Sequence, residues 1–246
     1  MESIIDVEIT GHVALITMVD REKKNQLSER LIVALTDTLS QLGSNSDVSV
    51  IVLCGYDNYF CCGGDVNEIA TRVSQRQAVF NKECVFELVL NCKLPIISAM
   101  QGHALGAGLA LGLYCDFIFM AEQSIYSANF MKYDFTPGFG STYILPKKMG
   151  YTLGHEMLYG AKNYYGLELK QRGAGVNVVD KENVLDDAMK FAGNLAKSSR
   201  HALITLKSGL NRDLEAELSQ AIDNELHMHE QTLYKQSVAS KISLPL

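Results

Sequence analysis

Two short segments carry residue types able to hold a developing negative charge. Phe60-Cys61-Cys62-Gly63-Gly64-Asp65 follows one apolar run, and Gly102-His103-Ala104-Leu105-Gly106-Ala107-Gly108 lies between two others. Small residues let a ligand approach the backbone, and N–H groups at a helix start lack intrahelical partners. Two such donors converging on one point make an oxyanion hole. Taken singly, either segment reads equally well as a packing turn. The second lacks G-x-G-x-x-G spacing and no G-x-x-x-x-G-K-[ST] occurs, which sets nucleotide phosphate binding aside. No metal spacing occurs. Cys61 and Cys62 are adjacent, while Cys54, Cys84, Cys92 and Cys115 are scattered among apolar residues and read as reduced core thiols.

Turns of this kind need strands to deliver them and helices to receive them. Ile5-Val7-Ile9 alternates, Gly11 turns and His12 to Met18 resumes, which predicts a hairpin. Leu27, Leu31, Ile32, Leu35, Leu39 and Leu42 fall at helical spacing. Val48 to Cys54 is a continuous apolar run, as a strand buried on both faces requires. A polar helical segment is predicted from Val66 to Cys92. A strand over Ile96 to Met100, a turn, a buried helix from about Leu105 and a strand over Phe117 to Met120 follow. Leu94 to Cys115 is 22 residues without a charge, but Pro95, Gln101-Gly102-His103 and later glycines spoil it as a bilayer span. Helix alternates with buried strand, the pattern of an α/β fold. From Asp186 the signals are nearly all helical. A main body over 1–185 and a helical region over 186–246 are expected, the latter folded over the body or packed against other subunits.

The 246 residues contain 22 Lys plus Arg against 28 Asp plus Glu, a formal charge of −6, and 47% are apolar, a globular mixture. An acidic chain without a basic block argues against nucleic acid as the main partner. The opening MESIIDVEIT carries acids where a secretory signal would carry Lys or Arg, and six cysteines are too sparse for a disulfide scaffold. A cytoplasmic protein without a membrane span is expected.

Together the two glycine turns and their surroundings resemble the crotonase (enoyl-CoA hydratase) superfamily. The matching segments are Asp20-Arg21-Glu22-Lys23-Lys24-Asn25-Gln26-Leu27, Tyr59 to Asp65, Pro95 to Gly108, Tyr114-Cys115-Asp116 and Thr136-Pro137-Gly138-Phe139-Gly140-Ser141-Thr142. In this order and spacing the set is highly specific. The resemblance implies a spiral of ββα turns with a C-terminal helical trimerisation region. It also implies an acyl thioester on a phosphopantetheine arm, its oxygen held by the N–H groups of Gly64 and Ala107. Cys62, through its backbone, and Lys23 or Lys24 would lie near the arm. A solvated loop is an equally good reading of the two lysines.

Hydratases of this superfamily use two glutamates. Their places fall on Ala110 in Gly108-Leu109-Ala110 and on Phe130 in Ala128-Asn129-Phe130-Met131, which transfer no protons. Hydration or isomerisation through either carboxylate is thereby set aside. A thioester site with an oxyanion hole and no standard base suits decarboxylation, because loss of CO₂ sends electrons into the thioester carbonyl. One oxyanion donor is worth roughly 3–4 kcal/mol in such a step. A cation must then orient the carboxylate without clamping it, since clamping would stabilise the reactant. Lys82 and His229 are the candidates, with Arg76 and Lys132 behind them, and a solvated helix lysine is an equally good reading of Lys82. His229 falls on the stripe of Leu218, Ile222, Leu226 and Leu233, whereas His227 is rotated by about 200°. On spacing alone, His229 reads as a core histidine.

A closer resemblance involves Glu225-Leu226-His227-Met228-His229-Glu230-Gln231-Thr232, Tyr126 to Tyr133 and Tyr56-Asp57-Asn58-Tyr59-Phe60. These are similar to the β-branching decarboxylases of polyketide assembly lines. That likeness implies a histidine on a C-terminal helix, matched by His229, and a flap lysine, assigned to Lys82. Phe130 and Tyr133 would line the acyl site. The implied substrate is a 3-methylglutaconyl thioester on an acyl carrier protein, within a polyketide synthase β-branching cassette. No metal or organic cofactor is implied, and the assembly would be a homotrimer or a dimer of trimers. A carrier protein would need a basic patch, for which Arg21, Lys23, Lys24, Lys147 and Lys148 are the candidates. A hydratase or isomerase with an atypical base, and a non-catalytic acyl-thioester binder, remain alternatives.

Overall fold

In the computed structural model, residues 3–80 and 89–242 are described. Alternation over Ile5–Thr10 (β1) and Val13–Met18 (β2) produces an antiparallel hairpin turned at Gly11. Glu29–Ser44 (α1) follows, with Leu31, Leu35, Leu39 and Leu42 on its buried face and the Ser28 side chain accepting from Leu31 N–H at its start. The chain then winds as a repeating unit. Val50–Cys54 (β3), Tyr59–Cys61 (β4) and Val66–Ser74 (α2) make one turn. Ile96–Met100 (β5), His103–Leu105 (β6) and Ala107–Leu113 (α3) make the next, and Phe117–Ala121 (β7), Ile125–Ser127 (β8) and a 3₁₀ turn at Asn129–Tyr133 make a third.

The first strand of each unit joins one sheet, and the second joins another. The larger sheet has the order β1-β2-β3-β5-β7-β10, closed at one edge by Asn177–Val179 (β10). The smaller has the order β4-β6-β8-β9, ending at Tyr164–Tyr165 (β9). Pairing between successive units is parallel throughout. This is the expected α/β spiral of ββα turns. Strands β3 and β5 are wholly buried because helices and the small sheet cover their faces.

Two expectations change. The helix from Val66 ends at Ser74, and Arg76 sits at φ +54°, so the expected helix is broken between Ser74 and Phe80. Residues 81–88, which include Lys82, lie outside the described residues. The turn after β5 is not followed directly by a helix either, since His103–Leu105 first pairs with β4.

Beyond Ser141–Met149 (α4), Tyr151–Gly160 (α5) and Gly166–Gln171 (α6), the later chain is largely helical. Val184–Leu195 (α7) buries Val184, Ala188 and Ala192 in an apolar cluster with β3, β5 and β7. Arg200–Thr232 (α8) is 33 residues long, and Gln236–Ile242 (α9) follows. The N-terminal half of α8 is pinned by two cations, Lys207 buried and Arg200 half-buried. Lys207 Nζ lies 2.8 Å from Asp116 and 2.9 Å from the Leu94 carbonyl, and Arg200 donates to the Val48 and Gly43 carbonyls. Among the described residues no helix is long and apolar enough to cross a membrane.

Removing the cation from a buried pair leaves a charge without compensation. Lys207→Met should therefore destabilise the protein by about 3 kcal/mol in urea unfolding. A loss below about 1 kcal/mol would mean that the pair only breaks even against an apolar contact.

Candidate active site

The loop before α1 is stitched to β4. The buried Asn25 side chain donates to the Met18 and Phe60 carbonyls at 3.0 Å each, and Leu27 N–H donates to Gly63 O at 2.7 Å. Asp65 closes the turn as the cap of α2, accepting from Asn67 and Glu68 N–H groups at 2.9 and 3.0 Å. Its second oxygen takes the Lys23 ammonium. Burial pushes the Asp65 carboxyl up, but Lys23 and the two N–H donors outweigh it and hold the pKa below the usual carboxylate value. Held at both ends, the turn leaves Gly64 N–H without an acceptor among the described residues.

The second turn is made by Gly106, at φ +52° and ψ −123°, a region closed to residues with a Cβ. Its own N–H donates to Ser127 O at 2.7 Å, which aims Ala107, the first residue of α3, at the first turn. No described residue accepts from Ala107 N–H. The two turns meet because β4 and β6 are parallel neighbours, and a Cβ on Gly63 would come within 3.0 Å of the Leu105 carbonyl. Gly64 and Ala107 line one cavity of about 560 Å³.

The other wall is aromatic. Phe130 and Phe135 meet edge to face at 6.2 Å, Tyr133 stacks on Phe135, and Phe80 and Phe139 complete it. His229, only 4% exposed, lines the same cavity between Phe80 and Phe135, at centroid distances of 5.2 and 5.8 Å. Its Nε2 lies 2.8 Å from the Thr136 carbonyl, which as an acceptor requires the proton on that nitrogen. Nδ1 is buried with no partner among the described residues. Burial lowers the His229 pKa below 6.5, partly offset by the backbone of Thr136 and Pro137, so the free ring is neutral at neutral pH. Burial likewise pushes the Cys62 thiol up to about 11 and raises Tyr133, leaving both protonated at neutral pH.

Of the residues expected from sequence, Gly64, Ala107, Cys62, Phe130, Tyr133 and His229 come together on this cavity. Lys23 instead serves the cap of α2. Lys24 is exposed, with its ammonium 5.4 Å from the Tyr59 ring and its carbonyl taken by Cys62 N–H. Arg76 lines a separate cleft beside α9, and Lys132 is exposed away from the cavity wall. Arg72, not singled out from the sequence, does line the cavity; Val66, Ile69 and Arg72 share a face of α2 at three-residue spacing. The carboxylates on the cavity belong to α1 and α2: Asp65 and Glu68 are occupied by backbone N–H groups, and Glu29 is exposed. Neither hydratase position supplies one, since Ala110 is fully buried inside α3 and Phe130 is on the wall.

The expected basic patch is not realised. Arg21 pairs with Asp57, Lys23 with Asp65 and Lys147 with Glu217, while Lys148 is half-buried on the Cys115 carbonyl. Nearby acids neutralise three of the five charges, which charge counting along the chain does not reveal.

The enoyl-CoA hydratase/isomerase family profile matches residues 8–243. The chain belongs to that family. It is 39% identical over 236 residues to the bacillaene synthase decarboxylase PksI of Bacillus subtilis, covering 96% of this chain and 94% of that protein. A probable mitochondrial enoyl-CoA hydratase of Dictyostelium discoideum is 28% identical over 92% of this chain and 81% of its own. Among solved structures, the ECH2 decarboxylase domain of CurF from Lyngbya majuscula superposes with a TM-score of 0.92 at 36% identity, covering 98% of each chain. A dehydratase/decarboxylase couple of polyketide β-branching gives 0.93 at 38% identity, again with 98% of each chain covered. Membership in the family fits two backbone N–H donors that line one cavity.

A folded pKa below 6.5 at His229 makes stability complete above pH 6.5 and diminishing as pH falls from there through the folded value. Nitrogen-15 NMR of the free protein should show His229 protonated on Nε2 and bare on Nδ1 at neutral pH. A ring that titrates above 6.5 in the free protein would contradict this environment.

Proposed function

We propose that the protein is a decarboxylase acting on a 3-methylglutaconyl thioester carried by an acyl carrier protein, giving a 3-methylcrotonyl-type thioester in polyketide β-branching. The observation that carries this reading is a pair of N–H donors, Gly64 and Ala107, that line the cavity and to which no described residue offers an acceptor, with Phe130 on the wall at one hydratase glutamate position and the buried Ala110 at the other. The likeness to PksI and to the CurF domain supports it across nearly the whole chain.

The thioester oxygen accepts from Gly64 and Ala107. The carbon–carbon bond to the carboxylate then breaks, CO₂ leaves, and the electron pair moves through the double bond into the thioester as a dienolate. The two donors stabilise that oxygen where its charge grows, and the aromatic wall excludes water that would compete for it. A neutral His229 does not clamp the reactant carboxylate. The positive charge that orients it, and the proton later delivered to carbon, fall to Lys82 in this reading, with the acceptor Nδ1 of His229 directing the group. No metal or organic cofactor enters the step. The protein would work in the cytoplasm as a trimer or a dimer of trimers beside the other β-branching enzymes.

Incubation with 3-methylglutaconyl carrier protein should lower the mass of the acyl arm by one CO₂; an unchanged mass, or a gain of one water, would refute the reading. His229→Ala and Lys82→Ala should each lose most of the turnover. Gly106→Ala, which places a Cβ 2.8 Å from Asn129 Oδ1 and forbids the turn, should cost about 10²-fold in kcat. Wild-type kcat in Gly106→Ala would show that Ala107 N–H is not a donor in the reaction.

A further inference from the structure

The second half of α8 grips the loop from Thr136 to Thr142 at successive points. His229 donates to the Thr136 carbonyl, and Thr232 Oγ1 lies 3.0 Å from Thr136 Oγ1 and accepts from its N–H at 3.3 Å. One helical turn before His229, Glu225 is 0% exposed and accepts three hydrogen bonds. Gly140 N–H reaches Oε2, while Thr142 N–H and the Thr142 hydroxyl reach Oε1, each at 2.7 Å. These backbone donors belong to the start of α4, where N–H groups lack intrahelical partners. Burial pushes the Glu225 carboxyl up to about 7 against the pull of its three donors.

This loop decides how the histidine ring sits. The rigid helix fixes the His229 Cα, but the ring's direction is set by the Thr136 carbonyl and by packing. A Cβ on Gly138 would fall 2.9 Å from His229 Cε1 and 2.5 Å from Phe80, so loop backbone and ring are in close contact. Gly138 and Phe139 are themselves cavity wall, and Tyr114 OH donates to the Phe139 carbonyl at 3.0 Å. If the 140–142 end were released, the Thr136 carbonyl could shift and the ring could turn or change tautomer.

We propose that Glu225 is a positioning residue, holding the Thr136–Thr142 loop so that His229 is fixed as the Nε2–H tautomer with Nδ1 left as an acceptor. The role in turnover rests on the decarboxylase reading; the effect on the ring does not. Glu225→Gln keeps the size but offers one acceptor atom to donors that now meet both oxygens, so no amide orientation satisfies all three. Glu225→Asp keeps the charge on a shorter arm.

The test compares the three proteins at about pH 8, where the native carboxyl is ionised, by nitrogen-15 NMR of His229 and by steady-state kinetics on the carrier-bound thioester. Glu225→Gln should show a mixed His229 tautomer and a kcat lower by about 10²-fold with KM changed less than about threefold. Glu225→Asp should recover part of both. A folded Glu225→Gln with the wild-type tautomer and kcat, whatever its melting temperature, would overturn the proposal. If that variant does not fold, Thr142→Val removes one of the three donors and should move both readouts in the same direction by less; no movement overturns the proposal. A wild-type protein that fails to decarboxylate would refute the functional reading, and the tautomer comparison would still judge Glu225.

Discussion

Everything at this site depends on two backbone N–H groups, those of Gly64 and Ala107, to which no described residue offers an acceptor. Both residues are half-buried on the cavity, and their N–H groups stay turned away from other backbone acceptors only where neighbouring contacts enforce it. Here the enforcement comes from consecutive turns of one spiral. Strands β4 and β6 are parallel neighbours, and each delivers a glycine turn at the same end. The caps and clamps around them, Asp65 on α2, Leu27 on Gly63 and Ser127 on Gly106, take up the surrounding polar groups. Gly64 and Ala107 are among the donors for which no described residue supplies an acceptor. A single turn could present one such N–H; only the pairing of two brings both to one cavity.

What surrounds those donors sets the chemistry. In place of carboxylates at the hydratase positions stand a buried Ala110 and the ring of Phe130, and Phe80, Tyr133, Phe135 and Phe139 extend that apolar face. Such a wall cannot activate water, and it strengthens any electrostatic contact made to the thioester oxygen. His229 fits the same logic. Enclosed by two phenylalanines with its N–H spent on Thr136, it is an oriented neutral ring rather than a resident charge. The reaction that remains open to such a cavity is one whose substrate brings its own leaving carboxylate.

Much of the site could be read before the fold was known. The glycine turns announced themselves by residue type, and the missing glutamates by alignment with their segments. The large sheet was legible too, because β3 and β5 are unbroken apolar runs. The small sheet was not: β4, β6 and β8 have three residues each and β9 has two, too few to show a period of two. Their existence depends on partner strands tens of residues away. Arg72 was missed because it lies in a polar helix where only the cavity distinguishes it from its neighbours. The basic patch failed for the opposite reason, since Asp57 and Glu217 are far in sequence from the cations they neutralise. His229 looked like either a core histidine or a functional one, and the structure makes it both buried and cavity-facing.

The central claim is that Gly64 and Ala107 polarise the thioester oxygen. The most direct measurement is the carbon-13 resonance of the thioester carbonyl in a carrier-bound analogue lacking the leaving carboxylate. Two N–H donors should move that resonance downfield on binding, and Gly106→Ala should remove most of the shift while the analogue still binds. A bound carbonyl resonating as it does in free solution would contradict the account.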